Sequence, residues 1–299
     1  MDGVIVIDKP AGVTSARVVA TVKRLLKGAK VGHTGTLDPA ATGVLVCTMG
    51  RATRLAQFFL EAPKTYRATC RLGVDTDTQD AEGQVTATRP VTVSETQVRT
   101  AAARFVGRIT QVPPAFSALK HRGVPLYRLA REGKAVTKPP RPVTIHRLVV
   151  LAVDLPQVVV EIDCSAGTYV RTLCADFGAV LGCGGHLTAL RRTACAGFTL
   201  KEAVSMAELE DLVGQGRIAE RIIDMNAALR QMAKVTANPM LARRITDGGR
   251  LTAVDIPPPV GKEALKVVDH RQRLLAVITF DPDTQRYDYV CVMPHQTVT

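Results

Sequence analysis

The sequence predicts an α+β fold in two parts: helices packed on a sheet, followed by a small all-β module. Three observations carry that expectation. Strand-like apolar runs alternate irregularly with stretches of 3.6-residue periodicity from the first residues to about position 232. From about Lys234 the texture changes to short strands separated by turns. The 299 residues, 46% of them hydrophobic, are enough for a large core and two domains.

The elements follow in order. Val4-Ile-Val-Ile7 reads as a buried strand, and Lys9-Pro-Ala-Gly12 turns the chain. Thr14 or Ser15 can cap a helix whose apolar face is Val18, Val19, Val22, Leu25 and Leu26, ended by Gly28. The stretch Val31 to Leu45 is the centre of the chain. It combines three glycines, one carboxylate (Asp38), a stiffening Pro39, and His33 with three threonine hydroxyls. Gly43 to Thr48 then reads as a core strand. A rigid polar loop feeding a core strand is a good mount for an acid aimed at a ligand. An ordinary Asp-Pro turn is the alternative.

Arg51 to Glu61 predicts a short helix, Lys64 to Gly73 an alternating strand, and Asp75 to Gly83 an acidic loop without EF-hand spacing. Ser94-Glu-Thr-Gln97 is a capping box opening a helix to about Val106. Residues 107–142, rich in Pro and Gly, read as an excursion from the core. Ile145 to Asp154 and Val158 to Cys164 suit a hairpin, Thr168 to Leu181 a helix, and His186 to Phe198 a strand with Arg191-Arg192 at its middle. Met206 to Met232 predicts two helices. Strands at Leu265 to Asp269, Arg273 to Phe280 and Arg286 to Met293 close the chain.

The charge narrows the partner. A net charge of +12 suits a polyanion, and nucleic acid is the usual one. Ten Lys or Arg but a single acid, Glu132, fall between Ala101 and Val150. No apolar run approaches the roughly 20 residues of a membrane span, and the N-terminus lacks a signal peptide's basic region. A cytoplasmic protein is expected. Seven scattered cysteines suit reduced, buried thiols. Cys183-Gly-Gly-His186 has no second pair to complete a zinc site. No Walker loop or dinucleotide fingerprint is present.

Four motifs in fixed order resemble those of the TruB-type tRNA pseudouridine synthases, over roughly residues 1 to 230. They are Lys9-Pro-Ala-Gly-Val-Thr-Ser15, Gly32-His-Thr-Gly-Thr-Leu-Asp-Pro39 with its continuation to Leu45, Gln111-Val-Pro-Pro-Ala-Phe-Ser-Ala-Leu-Lys120, and Cys164-Ser-Ala-Gly-Thr-Tyr-Val-Arg-Thr-Leu173. One departure is visible: Phe116 stands where relatives often have tyrosine, which leaves the ring and removes a hydroxyl.

The resemblance implies a mixed or antiparallel-sheet catalytic domain at residues 1–232, with a basic RNA-binding excursion at 107–142 and a PUA-like domain at 233–299. It implies conversion of uridine 55 in the tRNA T loop to pseudouridine on a flipped-out nucleotide. Asp38 is the implied catalytic carboxylate, with Arg171 as its ion-pair partner. Tyr66 is implied to stack on the base and take the C5 proton. His33 would occupy the displaced nucleotide's place, Tyr169 and Leu190 would line the pocket, and Lys9 with Pro10 would brace its floor. Lys120 belongs to the basic surface expected to grip the T arm. The isomerisation conserves atoms and electrons, so no cofactor or metal is required. A monomer with no obligatory protein partner is expected. Two rival readings stand beside this one. The first is a non-catalytic tRNA-binding or tRNA-folding protein; the second is an RNA-guided synthase that needs partner proteins.

Overall fold

The computed structural model describes residues 1–117, 119–134, 136–259, 261 and 264–293. Ala118 of the third motif and the last six positions of the C-terminal region lie outside them. The larger sheet runs Gly3–Lys9, Thr42–Met49, Gly185–Cys195, Lys64–Leu72, Gln157–Cys164, Arg141–Asp154, Gly107–Gln111. Neighbours along this path are antiparallel except Thr42–Met49 with Gly185–Cys195. Those two strands pair in parallel only at Thr42 with Arg191 and Gly43 with Arg192. The sheet is therefore pinched at one point and opens beyond it.

Sequence dictates the local elements. Val44, Leu45 and Val46 are fully buried on both faces of the sheet, each contributing about 1.5–3 kcal/mol of apolar burial. Lys64–Leu72 alternates buried and more exposed positions, the period-2 pattern of a half-covered strand. Thr14, not Ser15, caps the helix Ser15–Leu25, its side chain accepting from Arg17 N. Ser15 is buried and used elsewhere. The capping box at Ser94 forms and opens Glu95–Ala103.

Several boundaries differ from expectation. Arg51 to Glu61 is a 3₁₀ turn, Gly50–Leu55, followed by the short helix Ala56–Leu60. The His186 to Phe198 strand breaks at Ala196-Gly197, where both residues have positive φ, leaving Gly185–Cys195 and Phe198–Thr199. The basic excursion is rooted in the core. Its two ends, Gly107–Gln111 and Arg141–Asp154, pair as the outer strands of the main sheet, and only the segment between them departs. That segment holds the two-residue strands Lys120–His121 and Val124–Pro125 and the helix Leu126–Arg131.

The C-terminal sheet runs Ala233–Thr236, Leu265–Val268, Leu274–Asp281, Arg286–Val292, Leu251–Thr252. One helix, Pro239–Thr246, accompanies it; Asn238 caps that helix and Pro239 begins it. Val268, Leu274, Val277 and Met293 pack in one cluster with Val4, Val44 and Phe198 of the larger sheet and Phe59 of the helix Ala56–Leu60. Lys266 is buried at this seam, its Nζ donating to Asn226 O at 2.9 Å and Leu229 O at 2.8 Å. Among the described residues no helix is long and apolar enough to cross a membrane.

Candidate active site

The signature loop spans the gap beside the pinch, and its backbone is anchored on both sides of Asp38. Leu37 N donates to Ser15 Oγ at 2.9 Å, and Ser15 Oγ donates to Leu37 O at 3.1 Å. Lys9 is fully buried, its Nζ donating to Pro10 O (2.9 Å), Pro39 O (3.0 Å) and Ala41 O (2.6 Å). Burial pushes the Lys9 pKa down, while the Asp38 charge opposes that shift. Three carbonyls satisfy the ammonium, which is how a buried charge becomes tolerable. Gly43, at φ +103°, meets Arg192 so closely that any Cβ would overlap its backbone.

Asp38 projects from this mount into a cleft of about 380 Å³. The walls are Leu37, Leu60, Lys64, Tyr66, Tyr169, Arg171, Leu190 and Arg192, with Arg141 and Ser117 at the excursion's base. Arg171 sits in the first turn of the helix Val170–Val180. Its guanidinium is 6% exposed and its Nε lies 3.1 Å from Asp38 Oδ2. Nη1 donates to Asp80 Oδ2 and Thr78 O, both at 3.2 Å, and Nη2 donates to Phe116 O at 2.8 Å. One fork thus joins the signature loop, the acidic loop and the third motif. Asp38 itself stays 45% exposed, facing the cleft. The Phe116 backbone carries the Arg171 bond, so the missing hydroxyl does not enter it.

The remaining residues divide. Tyr66 is 7% exposed on the strand opposite Arg192, and burial pushes its pKa up to about 12. Tyr169 precedes the Arg171 helix, and its backbone exchanges two bonds with the buried Gln111 amide, at 3.0 and 3.2 Å. The Arg141 guanidinium lies 4.8 Å above the Tyr169 ring. Leu190 is half-buried on the cleft wall. His33 is not among the lining residues; its Nδ1 is buried and unbonded, and burial with the Arg192 charge lowers its pKa. Lys9 lies beneath the loop, outside the lining. Lys120 is exposed and not itself a lining residue, although its neighbour Leu119 is.

Sequence reasoning missed Asp80, Gln111 as a side chain, Lys64 and Arg192. Asp80 lay in a stretch read as an acidic turn, where Thr78 Oγ1 (2.5 Å) and Glu82 N (3.1 Å) also donate to it. Lys64 is buried and donates to Leu60 O at 2.9 Å and Ala62 O at 2.6 Å. Arginine and lysine inside alternating strands were the available signal. Among the described residues no group of three His, Cys, Asp or Glu could hold a metal. His186 Nδ1 pairs with Val74 O at 2.8 Å instead.

The structure thus holds one half-exposed carboxylate in a cleft lined by buried cations, on a largely antiparallel sheet from which a basic arm departs. The chain belongs to the TruB family of pseudouridylate synthases. The family's N-terminal domain model matches residues 23–170, and the tRNA pseudouridylate synthase B C-terminal domain model matches residues 171–234. The chain is 53% identical over 218 residues to tRNA pseudouridine synthase B of Aromatoleum aromaticum, covering 73% of this chain and 71% of that relative. It is 46% identical over 280 residues to the protein of that name from Burkholderia mallei, covering 93% and 92%. Among solved structures, a chain of a Cbf5–Nop10–Gar1 complex aligns with a TM-score of 0.78 and 27% identity, covering 98% of this chain and 85% of that one.

Proposed function

We propose that this protein converts uridine 55 in the T loop of tRNA to pseudouridine, acting alone, with Asp38 as the catalytic carboxylate. The observation that carries the reading is the Asp38–Arg171 pair, 3.1 Å apart, at the floor of a cleft that also holds Tyr66. Breaking the bond between C1′ and N1 leaves the sugar electron-poor, as in glycoside cleavage. One oriented carboxylate beside C1′ or C2′ serves as nucleophile, base or charge stabiliser. No leaving group departs and no water need be activated, so a single acid suffices.

The cleft lies within the roughly 300–1,000 Å³ of small-ligand sites, enough for one flipped nucleotide. Tyr66 stacks on the extruded base and takes the C5 proton; Tyr169 and Leu190 hold it from the sides. Lys9 keeps the Asp38 loop rigid from below. His33, kept neutral by burial, contacts the place the nucleotide vacates. Residues 1–232 carry out the catalysis. Within 107–142, Lys120, Arg122 and Arg128 are exposed cations on the arm, suited to phosphates of the T stem. Residues 233–299 form a PUA-like module that helps hold the RNA. Relatives named tRNA pseudouridine synthase B, at 46–53% identity, favour tRNA as substrate. The match to a complexed chain is far weaker, at 27%.

Incubating an unmodified tRNA transcript with the purified chain alone, then mapping pseudouridine, tests this. Modification at position 55 is expected. No product without added proteins would favour the partner-dependent reading, and modification in another arm would overturn the T-loop assignment.

A further inference from the structure

Among the described residues Arg192 is the largest fully buried side chain, and it lies against the catalytic cleft. It sits on Gly185–Cys195 at the pinch, opposite Gly43 on one side and Tyr66 on the other. Two of its three nitrogens are accounted for. Nε donates to Val44 O at 2.7 Å and Nη2 to Gly35 O at 3.0 Å, tying the core strand to the signature loop. Nη1 is equally buried and has no hydrogen-bond partner. A charged donor left unpaired inside a protein is costly and rare, and it calls for a reason.

The neighbour Nη1 can serve is the Tyr66 hydroxyl. The two residues are cross-strand partners on one face. Burial pushes the Tyr66 hydroxyl pKa up, and the Arg192 charge beside it acts in the opposite direction. We infer that Arg192 is a positioning residue that acts through Tyr66, donating from Nη1 to the phenolic oxygen while that oxygen carries negative charge during proton transfer. The inference rests on the functional reading above.

The step balances without any external acid or base. Once C5 has bonded to C1′, the ring holds a C5–H bond to be broken and an unprotonated N1. The Tyr66 hydroxyl gives its proton to N1, and its oxygen then takes the proton from C5. The C–H electron pair returns to the ring, and the tyrosine ends as it began. Between the two transfers the oxygen is a phenolate in a buried place. Burial alone would disfavour it, and a guanidinium already fixed by two carbonyl bonds offsets that with little reorganisation.

The test compares wild type with Arg192→Gln and Arg192→Lys, measuring single-turnover rate, tRNA affinity, melting temperature and the isotope effect of deuterium at C5 of the target uridine. Arg192→Gln removes the charge; Arg192→Lys keeps it without the three-way fork. The expected result is tRNA affinity within about twofold, a rate lowered at least about tenfold, and a larger C5 isotope effect in both variants, less so with lysine. Should the Gln variant not fold, the Lys variant carries the test alone. A folded variant that is slower with an unchanged isotope effect, or that keeps the wild-type rate, overturns the inference. Wild-type protein inert on tRNA would instead defeat the underlying function.

Discussion

The cations of the cleft floor and those of the arm differ in everything but charge. Lys9, Lys64, Arg171 and Arg192 are buried, and apart from Arg192 Nη1 their nitrogens are aimed at backbone carbonyls or carboxylates. Lys120, Arg122, Arg128 and Arg131 on the arm are exposed. A buried cation must be paired where it stands, so it becomes part of the scaffold. An exposed one stays hydrated and is available to a phosphate. The +12 charge therefore describes two populations: one shapes the cleft, and the other faces the partner.

The comparison can be broken first at the carboxylate that the floor holds. Asp38→Asn keeps the shape of the loop, because Lys9 and Ser15 anchor the backbone rather than the side chain. The single-turnover rate should fall at least about 1,000-fold, some 4 kcal/mol of barrier, with tRNA affinity unchanged. Appreciable turnover would remove Asp38 from the mechanism. Arg171→Lys comes next. It loses the fork that spans Asp38, Asp80 and Phe116, and the rate should drop on the order of 100-fold, as when one preorganised donor is deleted. Asp80→Asn should move the rate in the same direction by less, since Asp38 keeps its bond. A lowered melting temperature should accompany both, because Arg171 is buried. If Asp80→Asn leaves rate and melting untouched, the three-way clamp is irrelevant to function.

Much of this site was legible in the chain, and the illegible part has a physical reason. Asp38, Arg171 and Tyr66 belong to contiguous motifs, so their roles could be read before their positions. The helix caps at Thr14, Ser94 and Ser205 are local chemistry and could be read as well; the first two were. Asp80 and Arg192 meet the site only through pairing between distant strands and loops. Arg192 reaches the loop over 157 positions to Gly35. Nothing in its Arg191-Arg192 neighbourhood separates the buried arginine from its partly exposed neighbour, which pairs with Asp8 at 2.7 Å. The arm's root was misjudged for a related reason. Gly107–Gln111 has a partner 30 or more residues away, and Pro and Gly between them hide the pairing.

The arm's side of the comparison sharpens with salt. Neutralising Lys120, Arg122 and Arg128 together should weaken tRNA binding and lower the slope of log affinity against log salt by about 2 to 3, at roughly 0.9 per lost duplex contact. The rate at saturating tRNA should stay near wild type. An unchanged slope would mean that this face meets only solvent. The smallest effect is on stability. Burial pushes the Tyr66 hydroxyl and the Cys47 thiol up to about 12 and Cys164 to about 11. Above roughly pH 8.5–10 these groups ionise in the unfolded chain but not in the folded one. Stability is then present below that range and lost as pH rises toward 12. Melting temperature should hold up to about pH 8.5 and decline steadily above it. A flat profile to pH 11 would contradict their burial.

The most direct measurement uses an isolated T-arm hairpin, with wild type and Asp38→Asn assayed side by side and the product mapped. A rigid floor that presents one carboxylate, with an arm that grips the stem, needs no more of the tRNA than this. Wild type should convert the single uridine corresponding to position 55, and Asp38→Asn should bind the hairpin and convert none. Pseudouridine formed by Asp38→Asn, or a hairpin inert to an enzyme active on whole tRNA, would contradict the account.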